Sequence, residues 1–233
     1  MDALLRRRQM MMAGGTPPTP LPYTPVEYIV TDGNCYILPG KVATPPRSSE
    51  IKVQLADNSK NCSFLGGWVK GSADSKNFAL ARYLNTTKTV AFTYYAIYGE
   101  SDGMPSVEYS IDNNKPFIVK SSLKNGAQSI SVKQENSESW TTASKTNKNT
   151  VSSTYNLVIF GYYSGTQSAY GAFPPNGSRL YYCKIYNDET FTNLVFDGIP
   201  CLYNGEYGLW DKVSDSFKGS ADSEHPFSGP SNS

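Results

Sequence analysis

His225 is the one histidine among 233 residues, close to the C-terminus and followed by Pro226. A Ser-His-Asp or Cys-His mechanism would have to run through it, and a site with several histidines around a metal is excluded. Its turn-rich setting reads as a tail loop. The four cysteines, Cys35, Cys62, Cys183 and Cys201, form no C-x-x-C pair and no zinc-finger spacing. Each lies in or beside an apolar run such as Tyr181-Tyr-Cys-Lys-Ile, which suits a buried free thiol acting as a small hydrophobe. Two disulfides are the alternative, but no secretion signal places the chain in an oxidising compartment.

Glycoside hydrolysis needs two or three neighbouring carboxylates, as in E-x-D-x-x-E along one strand. The nearest approaches are Asp222 with Glu224 and Asp211 with Asp215, both in turn-rich sequence where carboxylates face water. Loop carboxylates such as Asp102, Asp112 or Asp211 could hold a structural calcium ion, yet no EF-hand pattern supports one. No glycine motif for cradling a phosphate is present either. The chain therefore reads as non-enzymatic, with no catalytic residue, metal site or cofactor. Aromatic rings in Gly/Ser/Asn loops can stack on sugar faces. Trp140, Tyr162, Tyr163 and Tyr170 are thus the candidates for glycan binding, against the plainer role of packing between strands.

Such residues need a scaffold, and composition selects one. Aromatics make up 13% of the chain, with 17 Tyr, while charged residues are 18%. That is too aromatic for a disordered chain and too poor in Ala, Leu, Glu and Lys for a helical one. Short apolar runs stand between turn clusters at 26–30, 35–38, 51–55, 63–66, 78–83, 89–98, 107–111, 117–120, 130–133, 157–160, 180–186 and 194–196. Several alternate apolar with polar residues, and no helical run separates them. The pattern predicts one antiparallel two-sheet sandwich and excludes an α/β fold. Residues 134–154 are polar and nearly free of aliphatics, so they read as a long exposed loop around Trp140.

Charge is unevenly placed. The chain carries 21 basic and 20 acidic residues, but three arginines and one aspartate lie in residues 1–22, leaving 18 basic and 19 acidic residues in the rest. Near-neutrality offers no general reason to bind nucleic acid or a membrane. The apolar run after Arg6, Arg7 and Arg8 is too short for a signal peptide or for a membrane span, which needs about 20 apolar residues. Cytoplasmic synthesis is therefore expected. Asp2 can cap a short helix that Gly14 ends. A helix of this length is marginal alone. Its Leu4, Leu5, Met10, Met11 and Met12, with the three arginines, suit a partner groove bearing carboxylates. Residues 1–15 form a candidate anchor, and 16–25, with five prolines, a stiff spacer of roughly 30 Å. Residues 26–233 form the globular domain.

The run Pro25-Val-Glu-Tyr-Ile-Val-Thr-Asp-Gly-Asn-Cys-Tyr-Ile-Leu-Pro-Gly40 resembles the opening strand pair of LamG-like, concanavalin A-like jelly rolls. That family is abundant in phages and prophages of gut Bacteroidetes. Further matches keep its order: Phe64-Leu-Gly, Leu157-Val-Ile-Phe, Arg179-Leu-Tyr-Tyr-Cys-Lys-Ile-Tyr-Asn-Asp, Ile199-Pro-Cys, Gly205-Glu-Tyr-Gly-Leu-Trp-Asp-Lys-Val and Phe227-Ser-Gly-Pro. The resemblance covers residues 23–230, with departures at Val30-Thr-Asp and Leu38-Pro. A basic, Met-rich start and a Pro/Gly spacer before the jelly roll also resemble head fibres of crAss-like phages. The resemblance implies an all-β antiparallel jelly-roll sandwich preceded by an N-terminal helix and a Pro-rich arm. It further implies a head fibre or capsid decoration protein on the virion, anchored through residues 1–22 to the major capsid protein or another virion protein. Such a protein would be a homo-oligomer, a trimer before a dimer. The alternative is a carbohydrate-binding adhesion module for host or mucosal glycans.

Overall fold

The computed structural model describes residues 20–40, 48–69, 76–93, 96–97, 106–124, 127–146, 157–164 and 169–230. The expected N-terminal helix, with Leu4, Leu5, Arg6, Arg7, Arg8, Met10, Met11 and Met12, lies outside them, as does Asp102. In chain order the first strands are β1 (Thr24–Pro25), β2 (Ile29–Val30), β3 (Ser48–Gln54), β4 (Cys62–Val69), β5 (Lys76–Leu84) and β6 (Thr89–Thr93). There follow β7 (Ala96–Ile97), β8 (Ser106–Glu108), β9 (Phe117–Lys124), β10 (Ala127–Gln134), β11 (Thr141–Thr146) and β12 (Val158–Ile159). The last are β13 (Tyr162–Ser164), β14 (Ala169–Gly171), β15 (Arg179–Tyr186), β16 (Leu194–Tyr203), β17 (Glu206–Asp211) and β18 (Ser216–Lys218). No helix occurs among the described residues, and none there is long and apolar enough to cross a membrane.

The strands form two sheets. The larger runs β11-β10-β9-β3-β15-β16-β17-β18, with β2 added to β15 and β1 to β16. The smaller runs β14-β13-β4-β5-β6-β8, with β12 on β4 and β7 on β5. Pairing is antiparallel except for a single parallel register between Ser164 and Trp68. Period-two alternation decides what each face carries. Ile51 and Val53 of β3, Val119 of β9 and Ile130 and Val132 of β10 point inward, while Glu50, Lys52, Lys120, Ser131 and Lys133 point out. Phe117 of the larger sheet and Phe64 of the smaller meet edge-on, with ring centres 5.6 Å apart, and neither is exposed. The sandwich of the expected all-β class is closed by this shared core.

Two readings of the sequence change. The runs at 26–30 and 35–38 do not pair with each other. Ile29 and Val30 join β15 of the larger sheet, whereas Ile37 bridges Ile159 on the smaller one. Between them the chain crosses from sheet to sheet. The Asp32 carboxylate accepts the N–H groups of Asn34 and Cys35, and Gly33 takes φ of +97°, a conformation that glycine adopts without strain. Residues 134–154 are likewise not one long loop: Thr141–Thr146 pairs with β10 as the edge strand β11. It is exposed along nearly its whole length, so it carries none of the alternation by which a half-buried strand is recognised.

The last residues of the proline-rich segment lie on the sandwich. Thr24 and Pro25 pair with Leu202 and Cys201, and the Tyr23 ring stacks on Trp210 at 4.6 Å. With Cys201, and flanked by Ile199, Tyr203 and Phe217, these two rings make a small second cluster. It sits on the outer face of the larger sheet, because Leu209 beside Trp210 belongs to the main core. Pro200 is tolerated inside β16 because it falls between the last residue paired to β15, Gly198, and the first paired to β1, Cys201. Its carbonyl accepts the Val26 N–H at 3.1 Å, and only the reciprocal N–H that proline lacks is absent at this junction.

Candidate ligand-binding face

On the outer side of the larger sheet, lysine is the recurrent solvent-facing residue of strand after strand. Register places Lys184 opposite Glu50, Glu50 opposite Lys120, and Lys120 opposite Ser131. Lys52 stands opposite Tyr182, and Lys133 opposite Ile118. A register shift between Leu180 and Tyr182 does what bulges do and re-aims a side chain. As a result, the consecutive Tyr181 and Tyr182 both reach outward partners. The Tyr181 hydroxyl donates to Gln54 Oε1 at 2.9 Å and that of Tyr182 to Glu50 Oε1 at 2.7 Å.

Five described cations of this face lie against aromatic rings. Arg179 lies 4.4 Å from the Tyr28 ring centre, Lys52 Nζ 4.7 Å from Tyr181 and Lys184 Nζ 5.6 Å from Tyr182. Trp140 folds back from the start of β11 between two ammonium groups, Lys133 at 5.0 Å and Lys120 at 5.1 Å. Phe191 is 5.5 Å from Lys120 on a loop that the Asp188 carboxylate gathers by accepting the N–H groups of Thr192 and Asn193. Attraction of a cation to a ring face is worth about 0.5–1 kcal/mol at exposed sites, so the array holds long side chains in place across four strands. Lys120 also donates to Glu50 Oε2 at 2.9 Å, and Lys52 pairs with Glu135. Burial pushes the Glu50 carboxyl upward, but the Tyr182 hydroxyl and Lys120 outweigh it and hold Glu50 below the ordinary carboxylate range. The result is an ionised, hydrogen-bonding surface with aromatic platforms; Trp140 is 36% exposed.

Of the glycan candidates, Trp140 belongs to this face. Tyr162 and Tyr163 are on β13 and Tyr170 on β14, at the far edge of the smaller sheet. β11, next to Trp140, packs beside β8 at that sheet's opposite edge. The four residues therefore do not converge. Lys52, Lys120, Lys133, Lys184, Arg179 and Tyr182 were not singled out from sequence. Their signal was the lysine between apolar residues in Ile51-Lys-Val and Cys183-Lys-Ile, which marks a solvent face but not which strands lie side by side.

The residues with conventional chemistry serve the scaffold. All four cysteines are free and buried. Burial pushes the Cys35 and Cys201 thiols up to about 11 and Cys62 up to about 12, far from the thiolate that reacts. The Asp211 carboxylate accepts the N–H groups of Asp197 and Val213 and the Ser214 hydroxyl. Asp215 accepts from the Trp210 indole, Asp112 from the Asn114 N–H and Asp222 from the Glu224 N–H. Among the described residues no three His, Cys, Asp or Glu side chains group to hold a metal. An open cleft of about 350 Å³ is lined by Glu206, Tyr207, Ser220, Asp222 and Phe227.

His225 ties the C-terminal segment to the crossing turn: its Nδ1 lies 2.7 Å from Asp32 Oδ2. That bond raises the His225 pKa above its ordinary 6.5. Burial raises Asp32, but the Asn34 N–H, the His225 ring and the Cys35 N–H together outweigh it and bring it below its ordinary 3.8. A raised histidine contributes stability that is complete below its unfolded value and fades as pH climbs through the folded one. A lowered aspartate contributes above its unfolded value and fades as pH falls through the folded one. The latch is thus strongest between the ordinary carboxylate range and neutrality. As the chain has one histidine, its imidazole NMR signal is expected to titrate above 6.5 and to move back toward that value in Asp32→Asn. A midpoint at or below 6.5 in the unaltered protein would contradict the pairing.

No protein-family model matches the chain, and no curated protein does. Among solved structures it is similar to the Ruminococcus gnavus IT-sialidase CBM40 bound to α2,3-sialyllactose, with TM-score 0.49 and 16% identity over 71% of this chain and 91% of that one. It is also similar to mouse laminin α1 chain domains LG4-5, with TM-score 0.47 and 12% identity over 69% of this chain and 41% of that one. A third is the enzymatically active domain of bacteriophage CBA120 tailspike protein 2, with TM-score 0.44 and 13% identity over 69% of this chain and 27% of that one. The chain thus spans less than half of the laminin and tailspike chains.

Proposed function

We propose that the chain is a non-enzymatic virion protein, a head fibre or capsid decoration with a concanavalin A-like jelly-roll head. Residues 1–22 would hold it to the major capsid protein or another virion protein, and it would act as a homo-oligomer, a trimer before a dimer. The observation that carries this reading is the exit of the arm. Tyr23 is 9% exposed against Trp210, and Thr24 and Pro25 are paired to β16, so the end of the proline-rich segment is fixed to the head at residues 23–25. A stiff arm on a fixed exit sets the distance between head and anchor. Removing residues 1–13 is expected to leave the head's melting midpoint unchanged and to eliminate the protein from purified capsids. Incorporation at the full-length level would refute the anchor.

A second reading, carbohydrate binding by the head, is favoured by the half-exposed Trp140 ring between Lys120 and Lys133. Flat aromatic surface beside hydrogen-bonding groups is what sugar faces stack on. On a glycan array the full chain is expected to retain at least one saccharide class, and Trp140→Ala to lose it. Retention of the same saccharides by the variant would move the site elsewhere.

A further inference from the structure

We infer that the outer face of the larger sheet takes an acidic polysaccharide laid across the strands. This inference rests on the carbohydrate-binding reading and specifies its ligand. The face carries Lys133 on β10, Lys120 on β9, Lys52 on β3, and Lys184 and Arg179 on β15, four consecutive strands of the sheet. Register sets Lys133, Ile118, Lys52 and Tyr182 in one row and Ser131, Lys120, Glu50 and Lys184 in the next. With strands about 4.8 Å apart, a chain crossing either row meets a cation at every second strand, about 10 Å, a spacing comparable to one disaccharide. Glu50 pairs with Lys120, and Glu135 with Lys52. Lys133, Lys184 and Arg179 have rings beneath them and no carboxylate at ion-pair distance among the described residues. Outside its first 22 positions the chain has 19 acidic and 18 basic residues, and Asp197 stands opposite Lys184 on β16. The positive charge this face offers is therefore the local one of Lys133 and Arg179, whose register partners are Ile118, Gln54 and Val30. It favours an anion.

The same face argues for a sugar over a nucleic acid. Glu50 and Glu135 stand among the lysines and accept hydrogen bonds only; they suit the hydroxyls of a saccharide, which a DNA backbone lacks. Ser131 and Thr142, hydrogen-bonded to each other at 2.8 Å beside Lys120 and Trp140, add further hydroxyls. Trp140 supplies the stacking platform.

Titration of the full chain with trigalacturonate, a hyaluronan tetrasaccharide and sialyllactose, each beside neutral galactotriose, chitotetraose and lactose, decides the matter. At least one acidic saccharide is expected to bind about tenfold or more tighter than its neutral counterpart, and to weaken as salt rises. Trp140→Ala is expected to weaken that binding about tenfold, as loss of an aromatic anchor does. Lys133→Gln should weaken it about threefold or more, and Lys133→Arg retain it. Lys133 sits at the solvent side of the sheet, so its variants read binding without a folding defect, checked by an unchanged melting midpoint. Equal binding of neutral and acidic saccharides overturns the acidic inference and leaves carbohydrate binding standing. Binding of none overturns both. Tighter binding of oligothymidylate than of every saccharide, or an unaltered affinity in Lys133→Gln, overturns the inference as well.

Discussion

Phe117→Ala is expected to destabilise the head by about 3–5 kcal/mol, the cost of removing a fully buried ring and leaving a cavity. Phe117 is unexposed and meets Phe64 across the two sheets with ring centres 5.6 Å apart. Beside Phe117 the larger sheet places the β-branched Val53 and Val119, whose restricted rotamers do not reach into the space. The edge-to-face geometry adds about 0.5–1.5 kcal/mol beyond area, and that share disappears with either ring. Urea unfolding measures the effect: the midpoint should fall with an unchanged slope, since the surface exposed on unfolding is almost the same. A loss below about 1.5 kcal/mol would mean that the two sheets are not joined through this pair.

Trp210→Ala has the second large effect, and it acts in two places. Trp210 is 7% exposed, stacks on Tyr23 at 4.6 Å, meets Tyr203 at 5.5 Å, and donates its indole N–H to Asp215 at 3.1 Å. Truncating it is expected to cost about 3–5 kcal/mol and to free the arm at its docking point. Chymotrypsin should then cut beside Tyr23 far faster than in the unaltered protein, because docked backbone resists cleavage. Tyr23→Ala alone should loosen the arm with a smaller loss of global stability. The double variant should reveal about 1 kcal/mol of coupling between the two rings. Zero coupling with unchanged cleavage would show that the arm is not held by this stack, and the fixed exit would go with it.

Much of the sandwich was legible. Ile51-Lys-Val-Gln, Ile130-Ser-Val-Lys and Leu180-Tyr-Tyr-Cys-Lys-Ile became strands because alternation of β-branched and polar residues is a local property, set by the two-residue period of an extended chain. The buried state of the four cysteines followed from the same apolar runs. β11 was not legible, since Thr141-Thr-Ala-Ser-Lys-Thr is polar on both faces and is a strand only because β10 offers it an unpaired edge. The candidate site was legible in one residue: Trp140 stood out as an aromatic in polar sequence, while its lysine neighbours were scattered over positions 120 and 133 with nothing local to join them.

By itself, the amino-acid sequence determined the class of fold, the inward and outward faces of the longer strands, and the uneven placement of charge between residues 1–22 and the nearly neutral remainder. These depend on composition and on neighbours one to four positions apart. The tertiary structure alone decided that 26–30 and 35–38 go to different sheets, that a bulge turns both Tyr181 and Tyr182 outward, and that Lys133, Lys120, Lys52 and Lys184 form one surface. Those outcomes depend on which strands become neighbours. Strand order is settled by long-range pairing and by the packing of one sheet on the other, and it leaves no periodic mark along the chain.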